Sequence, residues 1–240
     1  MNFRLAVALL LLIPGAALAQ DTREGEAPIA ALLEQVGGAE VWASARGFHM
    51  VEIMRSSSIE VPTVREYWVD FESPRIIEKA TTHRIDQLQA LNVNEGWTLR
   101  QRVGEEPILT TWDEDTVAGW NGFWPGIPTR VFHLLASEDP SVEARMNGDH
   151  RIDIFVDGQF AVWIGIDADA KPIAYGREES HVETHFLGAY FDYGPVRLWS
   201  TAYEQGDQWS VTMVDYKLIE GDMPVSYQSP EDVTDFNPLD

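Results

Sequence analysis

Residues 149–176, DHRIDIFVDGQFAVWIGIDADAKPIAYG, form the most regular pattern in the chain. Apolar residues occupy every second position from Ile152 to Val156, which is the period of a strand with one apolar face. Asp157-Gly158 predicts a tight turn, and the alternation resumes from Phe160 to Ile166. The run from Asp167 to Pro172 predicts another turn before a third strand. This stretch is therefore interpreted as an antiparallel meander.

The same alternation recurs on both sides of the meander and predicts about eleven strands, nearly all joined by hairpins. The predicted strands are 48–57, 61–71, 75–80, 84–91, 96–103, 152–156, 160–166, 173–175, 181–191, 196–204 and 208–219. A sheet of that width must curl or close, because strand twist accumulates. We expect a mainly β (α+β) fold, an incomplete antiparallel β-barrel with helices covering its concave face.

Two segments have helical rather than strand-like patterns. Pro28 predicts the start of a helix with an apolar stripe, and Gly37-Gly38 predicts the end of that helix. A shorter helix is expected around Trp42. In the second segment, Thr111 with Glu114 predicts a capping box and a short helix. A glycine- and proline-rich break at 119–128 then precedes another predicted helix at 130–136.

The second helical segment is dense in aromatic residues. These are Trp112, Trp120, Phe123, Trp124 and Phe132. An aromatic side chain left in water forgoes about 1.5–3 kcal/mol of burial, so the segment must lie on an apolar surface. Two interpretations stay open: a plug that completes the core, or a lid over a ligand cavity.

Composition and the N-terminus limit the class of protein. Residues 1–19 combine an early arginine, an apolar core and an Ala-Leu-Ala end, which predicts a cleaved signal peptide. The mature chain, expected to be soluble, is divided into one domain at 20–219 and an acidic tail without regular structure at 220–240. No cysteine is present, which excludes disulfides and thiolate sites. Thirty-nine acidic against 17 basic residues, a net charge of −22, argues against nucleic acid as a partner.

The order of elements and turns resembles the LolA-like superfamily of periplasmic lipoprotein-sorting and carrier proteins. The likeness rests on the signal sequence, the N-terminal helix, the Asn92 to Trp97 turn, the helical insertion, Ile166-Asp167, Lys171-Pro172 and Asp192-Tyr193. The final strands lack the Gly-to-Pro segment that is usual in that family after the Asp-Tyr pair, since here Gly194-Pro195 comes directly and Trp199 follows.

The resemblance implies a LolA/LolB/LppX-like half-barrel whose hydrophobic cavity receives a lipid or the acyl chains of a lipoprotein. It implies a periplasmic monomer without catalysis or cofactor, an inner-membrane transporter and an outer-membrane acceptor as partners, and a lid-binding arginine, for which Arg55 and Arg65 are candidates. The predicted ligand-binding residues are Met50, Met54, Trp112, Trp120, Phe123, Trp124, Phe132, Ile164 and Met213. Methionine walls adapt to chains of variable shape, although the same residues also suit a plain core.

Two other functions stay open. His181, Glu183 and His185 would face the same way along one strand and are weak candidates for a zinc site, of a metal-binding protein or a metal-dependent enzyme. Same-face neighbours on one strand are nearly 7 Å apart, so a partner from an adjacent strand would be needed. The third possibility is a structural β-domain with a filled core that acts through its surface.

Overall fold

A computed structural model describes residues 23–179, 184–204, 209–231 and 233. The predicted signal peptide lies outside these residues. The described part contains thirteen strands in one antiparallel sheet. They are β1 (Gly47–Ser56), β2 (Ile59–Asp70), β3 (Arg75–Thr81), β4 (Ile85–Asn92), β5 (Glu95–Arg102), β6 (Ile108–Thr111), β7 (Val142–Met146), β8 (Arg151–Val156), β9 (Gln159–Ile166), β10 (Pro172–Gly176), β11 (His185–Tyr193), β12 (Val196–Glu204) and β13 (Trp209–Ile219).

The sheet consists of two meanders that meet in its middle. Strands β1 to β6 run outward in sequence, strands β7 to β13 run back inward, and β13 pairs with β1. The prediction of a mainly β, antiparallel fold is confirmed. The sheet is open rather than a barrel, since β6 and β7 form its two edges and do not pair.

The predicted number of eleven strands was wrong because both edge strands were missed. Strand β6 has four residues and is mostly exposed, and β7 alternates half-buried with exposed residues. An edge strand has one neighbour and little buried surface, so its apolar alternation is weak. Both lie in the segment that the sequence pattern assigned to helices and loops.

The described residues also form four α-helices. They are α1 (Arg23–Gln35), α2 (Ala39–Ala43), α3 (Glu114–Phe123) and α4 (Pro128–Ala136), with a short 3-10 turn, Trp124–Gly126, between the last two. Helices α3 and α4 belong to the connection between the two sheet edges, β6 and β7. The main core cluster contains buried residues of α1, α2 and α4 together with residues of both meanders. The sheet therefore curves around the helices.

The predicted stripe on α1 is confirmed, but its start is not. Leu32, Leu33 and Val36 are buried, while the helix begins at Arg23 and Pro28 lies inside it. Gly37 follows with a φ of 121°, a conformation that side-chain-bearing residues rarely adopt. A Cβ at Gly37 would also lie 2.7 Å from the carbonyl oxygen of Pro195. This position therefore requires glycine.

Helix α3 begins and ends differently from the prediction. Asp113, not Thr111, caps it, since its Oδ1 accepts a hydrogen bond from the Thr116 amide at 2.9 Å. The helix continues through Gly119 and Gly122 to Phe123, so the predicted break starts too early. Glycine inside a helix costs about 1 kcal/mol but does not forbid it. The chain leaves the α-helix at the 3-10 turn, which contains a proline.

Two turns of the central meander agree with the prediction. Val156 pairs with Gln159 across Asp157-Gly158, and both turn residues have positive φ, 51° and 74°. These are the angles of a two-residue hairpin turn. Asp167 Oδ1 accepts hydrogen bonds from the amides of Asp169 at 3.0 Å and Lys171 at 2.9 Å. Asp167 and Asp169 therefore form a turn, as expected.

The described part of the C-terminal tail packs against the convex face of β2 to β5. It has no helix or strand, as predicted, but Tyr227 is buried in a second core cluster with Trp68, Ile77 and Trp97. Trp97 Nε1 donates to the Tyr227 carbonyl oxygen at 3.2 Å. The tail thus covers an apolar surface that the strands alone would leave in water. Among the described helices, none combines the length and the hydropathy needed to cross a membrane.

We predict that Tyr227→Ala lowers the free energy of unfolding by about 2–4 kcal/mol, because a buried aromatic side chain is lost from the contact between tail and sheet. Urea unfolding would measure the change. The matched control is Tyr203→Ala, since Tyr203 is an exposed tyrosine on β12 and should cost about 1 kcal/mol or less. Equal losses in both variants would contradict a stabilising role for the tail.

Candidate functional site

The helix-covered face of the sheet divides into two zones, and the first is filled. Phe132 on α4 is 0% exposed, and Ile164 on β9 is 1% exposed. A side chain with no accessible surface has no water-sized space beside it, so these two predicted ligand residues are fully packed by protein atoms. Met213 on β13 is also buried. Phe132 meets Trp42 of α2 edge to face, at 5.3 Å between ring centroids.

Helix α4 and the preceding turn are fixed to the sheet by polar contacts. Arg130 Nε donates to the Phe71 carbonyl oxygen at 3.0 Å, and its Cζ lies 3.5 Å from the centroid of a Trp124 ring. Trp124 Nε1 donates to the Asp70 carbonyl oxygen at 2.8 Å. Burial lowers the pKa of Arg130 to about 10, opposed by nearby carboxylates. The guanidinium stays charged at neutral pH, and α4 behaves as part of the core.

The second zone lies around α3, whose side chains are less buried than those of α4. None of the residues of α3 is buried, in contrast to α4, where five are. Trp120 stacks on Trp112 at 5.2 Å between ring centroids, and both are half-buried. Phe123 is 38% exposed, with the Cζ of Arg177 4.5 Å from its ring centroid. Helix α3 therefore presents aromatic surface that the sheet does not cover.

Two contacts hold the α3 segment on β4 and β5. Trp112 Nε1 donates to Thr98 Oγ1 at 2.7 Å, and Asn121 Nδ2 donates to the Val93 carbonyl oxygen at 2.9 Å. The Trp112 ring lies flat on Gly96, where a Cβ would fall 1.9 Å from a ring carbon. The glycine of the predicted Asn92 to Trp97 turn thus makes room for the tryptophan.

The floor of this zone is polar, although it belongs to the same sheet face as the core. Five residues of β1 to β4 share this face with Phe48 and Met50, as the strand pairing and the two-residue period of a strand require. We call this group the polar floor; it comprises Glu52, Arg65, Tyr67, Glu78 and Gln89. It begins where the apolar rows under the helices end. One row continues from Met50 across five strands to Thr98, about 19 Å at 4.8 Å per strand.

The two carboxylates of the polar floor are bonded unequally. Glu78 accepts from Arg65 Nε at 2.8 Å and from Gln89 Nε2 at 2.7 Å. Glu52 lies 3.6 Å from Arg65 Nη1, beyond hydrogen-bond distance. Its one hydrogen bond to the described residues is a long one from the Tyr67 hydroxyl at 3.4 Å. Arg65 Nη1 instead lies 3.1 Å from the sulfur of Met54. The Arg65 guanidinium is therefore bonded more closely to Glu78 than to Glu52.

These contacts set the electrostatics of the floor. Burial raises the pKa of Glu52 above its ordinary value; the Arg65 charge opposes this and the Glu78 charge adds to it. Burial also raises the pKa of Tyr67 well above its ordinary value. Tyr67 is thus neutral at physiological pH, and two carboxylates face one cation. A bulge in β13 lies opposite Glu52, where Val51 pairs with Asp215 but Glu52 pairs with Met213.

The two arginines that were predicted to bind the lid lie in other surroundings. Arg65 joins β2 to β3 through Glu78, and among the described residues its partners lie on the sheet rather than on the helical segment. Arg55 is exposed near the end of β1. Arg130, which no sequence pattern singled out, makes the contact between the helical segment and the sheet.

The predicted metal site falls largely outside the described residues, because His181 and Glu183 are not among them. His185 is buried, with its ring centroid 4.6 Å from that of Tyr175 and 5.1 Å from that of Trp209. Within the described part of the chain, no group of three His, Asp or Glu side chains is placed to hold a metal ion.

The sequence analysis missed the polar floor. Its signal was present: Glu52 sits between Met50 and Met54, and Glu78 follows Ile76, in positions where the strand period predicts apolar residues. A charged residue at an inward position of a strand is unfavourable unless it is paired or functional. The pairing between strands, which brings Glu52, Arg65 and Glu78 together, cannot be read from one strand at a time.

Comparisons with known proteins give only a weak structural likeness. No protein-family model matches the chain, and no curated protein matches it significantly. Among solved structures it is similar to a DUF1329 family protein from Desulfovibrio piger, with 5% identity and a TM-score of 0.42. The match covers 80% of this chain and 90% of that one. A likeness at this score carries no argument about function, and the LolA-like resemblance stays a prediction.

We predict opposite effects of the same substitution at the two carboxylates. Glu52→Gln should raise the unfolding midpoint at pH 7, since a pKa raised by burial means that folding disfavours the ionised form. Glu78→Gln should lower the free energy of unfolding by about 1–3 kcal/mol, because it weakens two short hydrogen bonds and leaves Arg65 poorly paired. Urea unfolding of both variants at constant salt measures these changes.

The pH dependence of the free energy of unfolding provides a second test of the Glu52→Gln prediction. A folded-state pKa above the ordinary 4.5 means that the folded protein gains stability from Glu52 as pH falls through that raised pKa. The advantage of Glu52→Gln should therefore be full above it and disappear below about pH 4.5. A destabilised Glu52→Gln protein at pH 7 would show that the carboxylate is well paired.

Proposed function

We propose that the protein is a non-catalytic periplasmic carrier that binds a lipid, or the acyl chains of a lipidated protein, between α3 and the sheet. The observation that carries the proposal is the contrast between two neighbouring helices. Helix α4 is built into the core, whereas α3 has no buried residue and carries half-buried and exposed aromatics. A helix of that kind acts as a lid, and the adjoining α4 acts as the plug.

The energetics favour an apolar guest at this place. Each methylene moved from water into an apolar site gains about 0.8 kcal/mol, and the half-buried rings of Trp112 and Trp120 would lose further water contact. Met50 and Met54 provide adaptable wall on the β1 side. Of the predicted ligand residues, we therefore assign binding to these four and to Phe123. Trp124, Phe132, Ile164 and Met213 support the site from within the core.

The remaining parts of the proposal rest on the sequence. The predicted signal peptide supports export, and the LolA-like resemblance supports a periplasmic monomer that exchanges its ligand with an inner-membrane transporter and an outer-membrane acceptor. No cofactor is needed for such a role. The filled zone under α4 also suits a structural β-domain without a ligand, which is the competing function.

We predict that a neutral fluorescent apolar probe, N-phenyl-1-naphthylamine, binds the protein and is displaced by lipid. The double variant Trp120→Ser/Phe123→Ser should weaken probe binding about fivefold or more, since two aromatic surfaces of the lid are removed. Fluorescence titration gives the affinity, and circular dichroism confirms that the fold is kept.

Phe191→Ser is the control for this experiment. Phe191 is an exposed aromatic on β11, away from α3, and its loss should leave the affinity unchanged. A well-folded protein that does not bind the probe would favour the structural β-domain. Native mass spectrometry of protein from its host tests the metal-binding function, because a bound metal ion and a bound lipid differ in mass.

A further inference from the structure

We propose that the polar floor selects amphiphiles with an ammonium headgroup over those with an anionic one. This inference rests on the proposed function, since it assigns the headgroup end of the same ligand. The acyl chain would lie against the aromatics of α3, and the headgroup would lie at Glu52, which pairs with Arg65 in the row next to the one that joins Thr98 to Met50.

Glu52 is the residue that requires a partner. Its side chain is only 9% exposed, and strand pairing with Arg65 points it to the helix-covered face. Its Oε1 has one long hydrogen bond, and within the described residues its Oε2 accepts none. A carboxylate that is nine-tenths buried without short bonds costs free energy that a bound cation would return.

The polar floor contains one more negative charge than positive charge. Arg65 lies 2.8 Å from Glu78 through Nε and 3.6 Å from Glu52 through Nη1, so one positive charge is shared between two carboxylates. The only other titratable member, Tyr67, is neutral. A bound ammonium group would balance the charge of the polar floor, with two carboxylates facing two cations.

The same count disfavours an anionic headgroup. A carboxylate or phosphate near Glu52 would be the third negative charge in a partly dry site, where like charges interact more strongly than in water. The arginine that would attract it is already paired at 2.8 Å. Screening in 0.15 M salt acts over about 8 Å and leaves such short contacts largely intact.

The test compares three amphiphiles with one chain length: dodecylammonium, dodecyl maltoside and dodecanoate. Each displaces the neutral probe at pH 7.5 and 0.15 M salt, below its micelle concentration. We expect dodecylammonium to bind about tenfold more tightly than dodecanoate, with dodecyl maltoside between them. Glu52→Gln should reduce that ratio to about twofold or less, because the uncompensated charge is removed.

The control variant is Asp86→Asn. Asp86 is exposed on β4, next to Gln87 on the opposite sheet face, so the variant changes the net charge of the protein by the same amount. It should keep the full tenfold ratio. A ratio lost equally in both variants would assign the preference to net charge and overturn the proposal, as would a ratio that survives Glu52→Gln.

The outcomes separate the two proposals. If none of the three amphiphiles displaces the probe, the carrier function itself fails. If all three bind with similar affinity, the carrier function stands and the ammonium selectivity is wrong. Tighter binding of dodecanoate would assign the headgroup to Arg65 instead.

Discussion

The pairing of β1 with β13 is the interaction on which the rest of the structure depends. It joins the first strand to the last one and so merges two sequential meanders into one sheet. Every other pairing in the sheet is between strands that follow one another in the chain. The two free edges, β6 and β7, are then consecutive in sequence but lie at opposite ends of the sheet. The chain between them must cross the open side.

This constraint explains why the crossing segment is helical and rich in aromatics. A connection over the concave side of a curved sheet faces apolar strands of both meanders and must cover them. Helix α4 does so completely, with Phe132 and Val131 in the common core. Helix α3 lies nearer one edge, on β4 and β5, where the sheet face has become polar. Helix α4 therefore matches the plug interpretation, and α3 is the helix to which the proposed role of a lid applies.

The period of two was sufficient to predict most strands and the central turns, because residues such as Ile152 and Ile154 each report one face locally. The two edge strands were not predicted, because an edge strand has one neighbour and its apolar alternation is weak. Burial of the tail could not be predicted either: Tyr227 packs on Trp97, 130 positions away in sequence, and nothing in the tail's acidic composition indicates that contact. Local pattern predicts elements, whereas contacts between distant segments depend on the register that the whole sheet adopts.

The polar floor shows the same limit at the level of chemistry. A carboxylate in the middle of a strand is unremarkable alone, and only the register of three strands turns Glu52, Arg65 and Glu78 into a cluster with one charge uncompensated. A protein selected for stability alone could replace Glu52 by a neutral or apolar residue, since buried ion pairs contribute little to stability. Under the proposed function, binding of an ammonium group would offset the cost to stability of a buried and weakly bonded carboxylate at Glu52.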